Sequence, residues 1–388
     1  MSSRPIANTH IHTPYSFSAF ESIEEAVACA RREQIAVLGI SDFNTVEGFE
    51  RFGELCRRNR IHPLYNIEFI ALSREDKREG KRFNDPKNPG VMYFCGKALR
   101  VPVCFGRESR ATLEALREGG RTRIATMIAT LNDYLATRGL ELSFDYDDIK
   151  ARYAENTVRE RHIAKALFHA FDRRFEDYRR LEAYRRLFDD AAFTADLGDR
   201  VHMQNLIRAR LLKAGTPVFV EEREEAFLTP QRLRELILDG EGVPCYPVLA
   251  DDSAELNERE RDPEALAAYL REQEIHAVEF IPQRNGLKHL SRYVRLFRER
   301  GFCITFGTEH NTPARGSLIP AARGQTPLTD ELGHIGYEGA CILAAHQQLV
   351  IEGKKGYVDR RGRRCVGVEQ MSELARFGNE VIRASLAG

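Results

Sequence analysis

An alternation of apolar runs with amphipathic stretches constrains this chain more than any other feature. Toward its start, "PIANTHIH", "IAVLGISDF", "IHPLYNIEFIAL" and "GVMYFCGKAL" read as strands, and "SIEEAVACARREQ" and "TVEGFERFGELCRRNR" read as helices between the first three. Ser22 is a candidate N-cap, with Glu25 three residues on. The rhythm resumes later, where helices "TPQRLRELILDG", "DPEALAAYLREQ" and "LKHLSRYVRLFRERG" alternate with strands "VPCYPVLA", "HAVEFIP" and "FCITFGTEH". Such an order predicts an α/β fold, a parallel sheet with helices packed outside it.

The stretch 106–225 differs. It is rich in Arg, Glu and Ala and shows helical spacing in "RTRIATMIATLNDYLATRG", "TVRERHIAKALFHAF" and "RVHMQNLIRARLLKAG". It reads as a mostly helical insertion that splits the β/α unit into 1–105 and 226–335. Residues 336–388 read as a helical tail packed on that unit, with helices in "YEGACILAAHQQLVIEG" and "VEQMSELARFGNEVIRASL".

Charge and composition narrow the partners. Lys+Arg and Asp+Glu both number 58, so the formal net charge is zero and no general electrostatic grip on nucleic acid is expected. A local basic pocket remains compatible with that balance. No run of 18 apolar residues occurs and "MSSRPIANTH" has no apolar core, so neither a membrane span nor a signal peptide is expected. The eight cysteines form no C-x-x-C pair and fall mostly in apolar runs, the pattern of buried reduced thiols in a cytoplasmic protein. Nothing in the sequence sets an oligomeric state.

In a parallel barrel the chemistry gathers at the carboxyl ends of the strands. The strand ends here carry His10 and His12, Asp42, Glu68, Asp251, Glu279, and Glu309 followed by His310. Residues i and i+2 of a strand point the same way, so His10 and His12 can present two imidazoles to one ion. Imidazole and carboxylate together suit zinc, manganese or iron. An H-x-H pair can equally be a packed, hydrogen-bonded pair, and Asp42 can cap the loop that follows it. Glu68, flanked by Ile67, Phe69 and Ile70, is costly to bury unless it is paired or bound to a cation. Glu279 in "AVEFIP" poses the same question, with a basic residue as the structural alternative.

The order of these pieces resembles the polymerase and histidinol phosphatase (PHP) superfamily. "NTHIHTPYS" resembles its H-x-H-[ST] motif, "LGISDFNTVEGF" its T-D-H-[DN]-T, "YNIEF" its G-[IV]-E, and "FGTEHNTP" its G-S-D-x-H. "RERHIAKAL" resembles the R-x-H-[FIL]-A-[RK]-x-L helix in the insertion of its small phosphoesterases, and "GVPCYPVLADD" lines up with a strand ending A-H-P. The resemblance spans roughly residues 5–315. It implies a distorted (β/α)7 TIM-like barrel with a mostly helical insertion, divalent ions at the strand ends and phosphoester hydrolysis. The two barrel halves are then 1–105 and 226–335.

Carried over residue by residue, the resemblance is incomplete. His10, His12 and Glu68 match family ligands. Phe17 and Phe43 stand where an acidic ligand and a histidine are expected, and phenylalanine has no lone pair to give. Tyr93 replaces a histidine, Asp251 the A-H-P histidine, Glu309 the last aspartate and Asn311 the last histidine, with His310 between them. Three ions need about nine protein ligands and this chain offers about six, so one or two ions are expected rather than three. The reading is a metal-dependent phosphoesterase of a small phosphorylated substrate. Its metal ligands are His10, His12, Glu68, Glu309 and His310. Asp42 and Asp251 are candidates for base catalysis or further ligation, and Arg159, Arg161 and His162 form an anion-binding edge. Two alternatives remain open. The aromatic replacements could leave a non-catalytic barrel that binds a ligand or a protein, or the barrel could carry other chemistry such as a lyase or deacetylase-like reaction.

Overall fold

The computed structural model describes residues 5–250 and 258–387. Seven strands form one sheet in chain order: β1 (Ile6–Ile11), β2 (Ile35–Phe43), β3 (His62–Leu72), β4 (Val91–Lys97), β5 (Val243–Val248), β6 (Ala277–Phe280) and β7 (Cys303–Phe306). The sheet curls until its two edges meet. The Ile11–Glu309 bridge joins β1 to the end of β7, and the His12 amide donates to the Glu309 carbonyl at 2.7 Å. The result is a nearly closed, distorted (β/α)7 barrel with a helical insertion.

The expectation of an all-parallel sheet needs one correction. β4 runs antiparallel to both β3 and β5. A parallel return needs a crossover of a dozen residues or more, usually a helix laid across the sheet. The link from β3 instead folds back on itself. Its one helix, Arg74–Arg78, is five residues long, and the Ser73 amide bonds to the Gly90 carbonyl at 2.9 Å. The chain therefore re-enters the sheet beside the point where it left and runs the other way.

That reversal leaves the chain at the opposite end of the barrel from the other strand ends. A 31-residue helix, Arg107–Thr137, carries it back. At 1.5 Å per residue it spans about 46 Å. At its start the Gly106 amide binds the Asp239 carboxylate, next to the strand starts; further along Arg117 pairs with Glu47, beyond the end of β2. Leu113 packs into the barrel core, whereas Ile124, Met127, Ile128, Leu131 and Leu135 enter a second core inside the insertion. The helix therefore belongs to both packing units and holds the insertion, including helix Glu160–Arg174, over the strand ends.

Local signals behave as their chemistry dictates. The Ser22 hydroxyl accepts from the Glu25 amide at 3.1 Å, and Glu25 returns a bond to the Glu21 amide. The tail folds as two helices, Asp330–Ile351 and Met371–Ala387, against the barrel. Among the described residues no helix is long and apolar enough to cross a membrane. No disulfide forms. Five thiols are buried, but Cys104 and Cys365 are exposed, which apolar-run reasoning did not anticipate.

Candidate metal centre

β1 and β3 build the centre. His10 is the last residue but one of β1, His12 lies just past its end, and the two rings approach with their Nε2 atoms 3.3 Å apart. Glu68, on β3, brings its Oε2 to 3.2 Å from His12 Nε2 and 3.9 Å from His10 Nε2. These three atoms form a compact buried set able to hold a cation. Their separations bracket about 3.3 Å, the edge of a tetrahedron whose centre lies about 2.0–2.1 Å from each corner.

The hydrogen-bond network fixes where the imidazole protons sit. His10 Nδ1 is 2.6 Å from Glu279 Oε2. The Lys97 ammonium and the His10 ring outweigh burial and hold the Glu279 carboxyl down at about 2, so it is an acceptor only. His10 must therefore carry its proton on Nδ1. The Ser16 hydroxyl gives its one hydrogen to Asp42 Oδ1 at 2.6 Å, so at 3.3 Å it can only accept from His12 Nδ1. Both Nε2 atoms then face one another on the side turned toward Glu68. Glu68 Oε2, also buried, has no hydrogen-bond partner. Two imidazole nitrogens and a carboxylate oxygen converge there, a donor set that suits a divalent cation. Holding ligand imidazoles by a carboxylate on the far nitrogen is how proteins orient metal-binding histidines.

Titration follows the same geometry. Burial lowers the His12 imidazole to about 4 despite the attraction of Asp42 and Glu309. Burial raises Glu68 to about 7, and the nearby Glu309 and Glu279 push the same way. A second group, His10, Cys95 and Glu279, also clusters, but the Lys97 ammonium already sits 2.6 Å from Glu279 Oε1 and supplies the positive charge there. Burial keeps the Cys95 thiol well above its ordinary range.

Other expected residues lie differently. Asp42 is 1% exposed and accepts from the Thr13 amide at 2.8 Å, the Thr13 hydroxyl at 2.5 Å and Ser16. It pins the loop after β1 and, through Ser16, His12. Glu309 lies beside the three-ligand set, and the electrostatic influence of both histidines reaches it. Its carboxylate, however, is held by Arg284 Nη2 at 2.8 Å to each oxygen. His310 is not brought to the set. Its ring stacks on Phe20, with Nδ1 at 2.9 Å from the Thr308 hydroxyl and Nε2 at 3.1 Å from the Gly316 carbonyl. Glu309 and His310 both have positive φ, 60° and 59°, so the alternation of a strand no longer applies to them. Asp251 lies outside the described residues.

The insertion supplies the edge of the site. The Arg159 guanidinium lies over the Phe43 ring at 4.0 Å, and that ring stacks on His12 at 5.0 Å. Arg161 lies over Phe17 at 5.7 Å. His162 meets Phe17 edge-on, while its Nδ1 accepts from the Arg159 amide at 2.9 Å and caps helix Glu160–Arg174. Burial takes its imidazole to about 3, so it is neutral there and the charge of this edge comes from the arginines. Sequence reasoning missed Lys97 and Arg284. Lys97 had one signal, a lone lysine ending an apolar run, and Arg284 had none.

Comparison with known proteins agrees with this architecture. A family model described as the PHP domain matches residues 8–193, a span that ends inside the insertion. A Bifidobacterium adolescentis protein assigned as a metal-dependent phosphoesterase superposes with a TM-score of 0.54 at 17% identity, over 84% of this chain and 95% of that one. An amidohydrolase from Chromobacterium violaceum, solved with sulfate and without metal, gives 0.54 at 14% identity over the same shares. At those identities the likeness is one of fold. An 83-residue segment is 31% identical to the DNA polymerase III alpha subunit of Staphylococcus aureus, a match covering 18% of this chain and 8% of that subunit. The chain has the PHP-superfamily fold with a partial metal-binding cluster.

Proposed function

We propose that this chain is a divalent-metal-dependent hydrolase acting on a small phosphorylated substrate, with His10, His12 and Glu68 holding a single ion. The observation that carries the reading is the convergence of two buried imidazole Nε2 atoms with a Glu68 Oε2 that has no hydrogen-bond partner. Bound there, zinc, manganese or iron would supply Lewis-acid polarisation of a phosphoryl oxygen and a more acidic water.

The chain's own residues have distinct tasks. Glu279 and the Ser16–Asp42 pair hold the two imidazoles in register, and Lys97 keeps Glu279 ionised. Arg159 and Arg161 orient the charged oxygens of the substrate at the edge of the cluster, and His162 positions Arg159 by capping its helix. Asp42 acts through His12, since its oxygens are engaged by Thr13 and Ser16. Asp251 is the proposed general base. A cytoplasmic location fits this role.

Metal content tests the reading. Protein reconstituted with zinc or manganese and then dialysed is expected to hold about one equivalent, and a His10→Ala/His12→Ala variant none. The loaded protein is expected to hydrolyse members of a phosphomonoester panel. Uptake below about a fifth of an equivalent, with no shift in melting temperature, would sink the hydrolase. It would favour the scaffold reading, to which the buried Phe17 and Phe43 beside the cluster point.

A further inference from the structure

We infer that Arg159, Arg161 and Arg284 form an oxyanion site that works without metal, and that these guanidiniums occupy the place of any further ion, limiting the centre to one. The inference rests on the phosphorylated-substrate reading only for the identity of the anion.

Three half-buried guanidiniums lie along this edge of the site, and among the described residues the one carboxylate that pairs with any of them is Glu309, on Arg284. Among the described residues, neither Arg159 nor Arg161 pairs with a carboxylate. Arg161 donates only to the Asn205 amide oxygen at 3.1 Å, and the guanidinium of Arg159 only faces Phe43. A carboxylate was at hand. Glu160 stands between them in the chain, yet it turns away and pairs with Arg123 at 2.8 Å. A cation over an aromatic face gains less than burying a charge costs, so both guanidiniums retain unmet capacity for an anion. Arg284 spends one nitrogen, Nη2, on Glu309, and its Nε and Nη1 have no partner among the described residues.

The rings decide where the charges sit. Because Phe43 stacks on His12 and carries Arg159, the guanidinium carbon lies within about 9 Å of the His12 ring. Arg159 and Arg284 both act on the Tyr93 phenol, which places that hydroxyl in the field of both. Phe43 and Phe17, which cannot serve as ligands, are thus the rings that carry Arg159 and Arg161, and Tyr93 lies against Phe43 with ring centroids 6.3 Å apart. A phosphoryl group presents several charged oxygens, which suits planar guanidinium forks better than a monoanionic carboxylate does.

The test is calorimetric titration of the full chain with inorganic phosphate, first in excess chelator and then after reconstitution with manganese. Phosphate is expected to bind in chelator, one per chain. Arg159→Ala and Arg284→Ala should each weaken it about tenfold or more, with partial recovery in Arg159→Lys. Phe43→Leu, which keeps the apolar contact and removes the platform, should weaken phosphate in the same direction while circular dichroism stays unchanged. Metal content is expected to stay at one equivalent under excess manganese. Phosphate binding that requires metal, or that survives Arg159→Ala and Arg284→Ala unaltered, overturns the inference, as does uptake of a second ion. The two readings fail separately: phosphate bound in chelator by a chain that takes up no metal sinks the hydrolase alone, and metal uptake without chelator-resistant phosphate binding sinks this inference alone.

Discussion

Replacing Lys97 by methionine is the most informative single perturbation of this barrel. Lys97 and Glu279 are both 0% exposed, and the ammonium reaches Glu279 Oε1 at 2.6 Å and the Thr9 carbonyl at 3.2 Å. Glu279 also accepts from the Thr9 hydroxyl at 3.0 Å and from His10 Nδ1 at 2.6 Å. Burial alone would neutralise both partners. Instead their mutual attraction holds the lysine above and the glutamate below their ordinary values. Lys97→Met leaves a buried carboxylate with only neutral donors, which costs about 3–5 kcal/mol, a large part of the 5–15 kcal/mol that ordinarily separates folded from unfolded chains. Glu279→Gln strands the ammonium and is expected to cost a similar amount. The double variant Lys97→Met/Glu279→Gln removes both charges and leaves an amide oxygen for His10, so its cost should fall well below the sum of the singles. Urea unfolding of the four proteins, with equal slopes, measures the cycle. A Lys97→Met cost under about 1 kcal/mol, or strict additivity in the double variant, would refute the claim that this pair is a desolvated unit. The same Glu279→Gln change should weaken metal affinity about 10- to 100-fold by releasing the His10 ring.

Further outcomes follow from other parts of the molecule. His346 is buried with Nε2 donating to the Glu241 carbonyl at 2.8 Å and Nδ1 accepting from the Tyr357 amide at 3.0 Å, and burial lowers it from 6.5 to about 4. Its neutral form therefore contributes stability that is complete above pH 6.5 and is lost as pH falls through 4, about 3 kcal/mol in all. Urea midpoints of wild type and His346→Gln at pH 7.5 and 4.5 should show the wild type losing more; equal losses would contradict the assignment. Glu68→Gln is expected to abolish stoichiometric metal uptake yet stabilise the metal-free protein at pH 8 by about 1–3 kcal/mol, because an ionised oxygen without a partner is replaced by a neutral group. A destabilised Glu68→Gln protein in chelator would show that the carboxylate is satisfied in some other way. In helix Asp330–Ile351, a Cβ on Gly339 would come within 1.8 Å of the Ile304 carbonyl oxygen on β7. Gly339→Ala should therefore lower the urea midpoint by an amount equivalent to about 1–3 kcal/mol or more, and an unchanged midpoint would mean that the helix can stand off from the strand.

The order of elements and the heart of the centre were legible in the sequence because both rest on local rules. Period-two and helical spacing placed the strands and most helices. The i, i+2 geometry of a strand brought His10 to His12, and the cost of burying Glu68 among apolar neighbours pointed to a cation. What the tertiary structure alone decided lies at long range or where local geometry breaks. The reversal of β4 depends on how the 73–90 segment closes on itself, and its apolar pattern would suit either direction. Lys97 and Glu279 are 182 residues apart, so no spacing rule could pair them. The left-handed turn at Glu309 and His310 sends one side chain to Arg284 and the other to Phe20, where strand alternation would have offered both as ligands. Phe17 and Phe43 read in the sequence only as ligands lost, whereas packing makes them the rings that carry Arg161 and Arg159. Sequence determined which groups the chain brings to its strand ends. Only the closing of the barrel, which sets distant charges against one another in a space with little water, decided which of them face an ion and which neutralise each other.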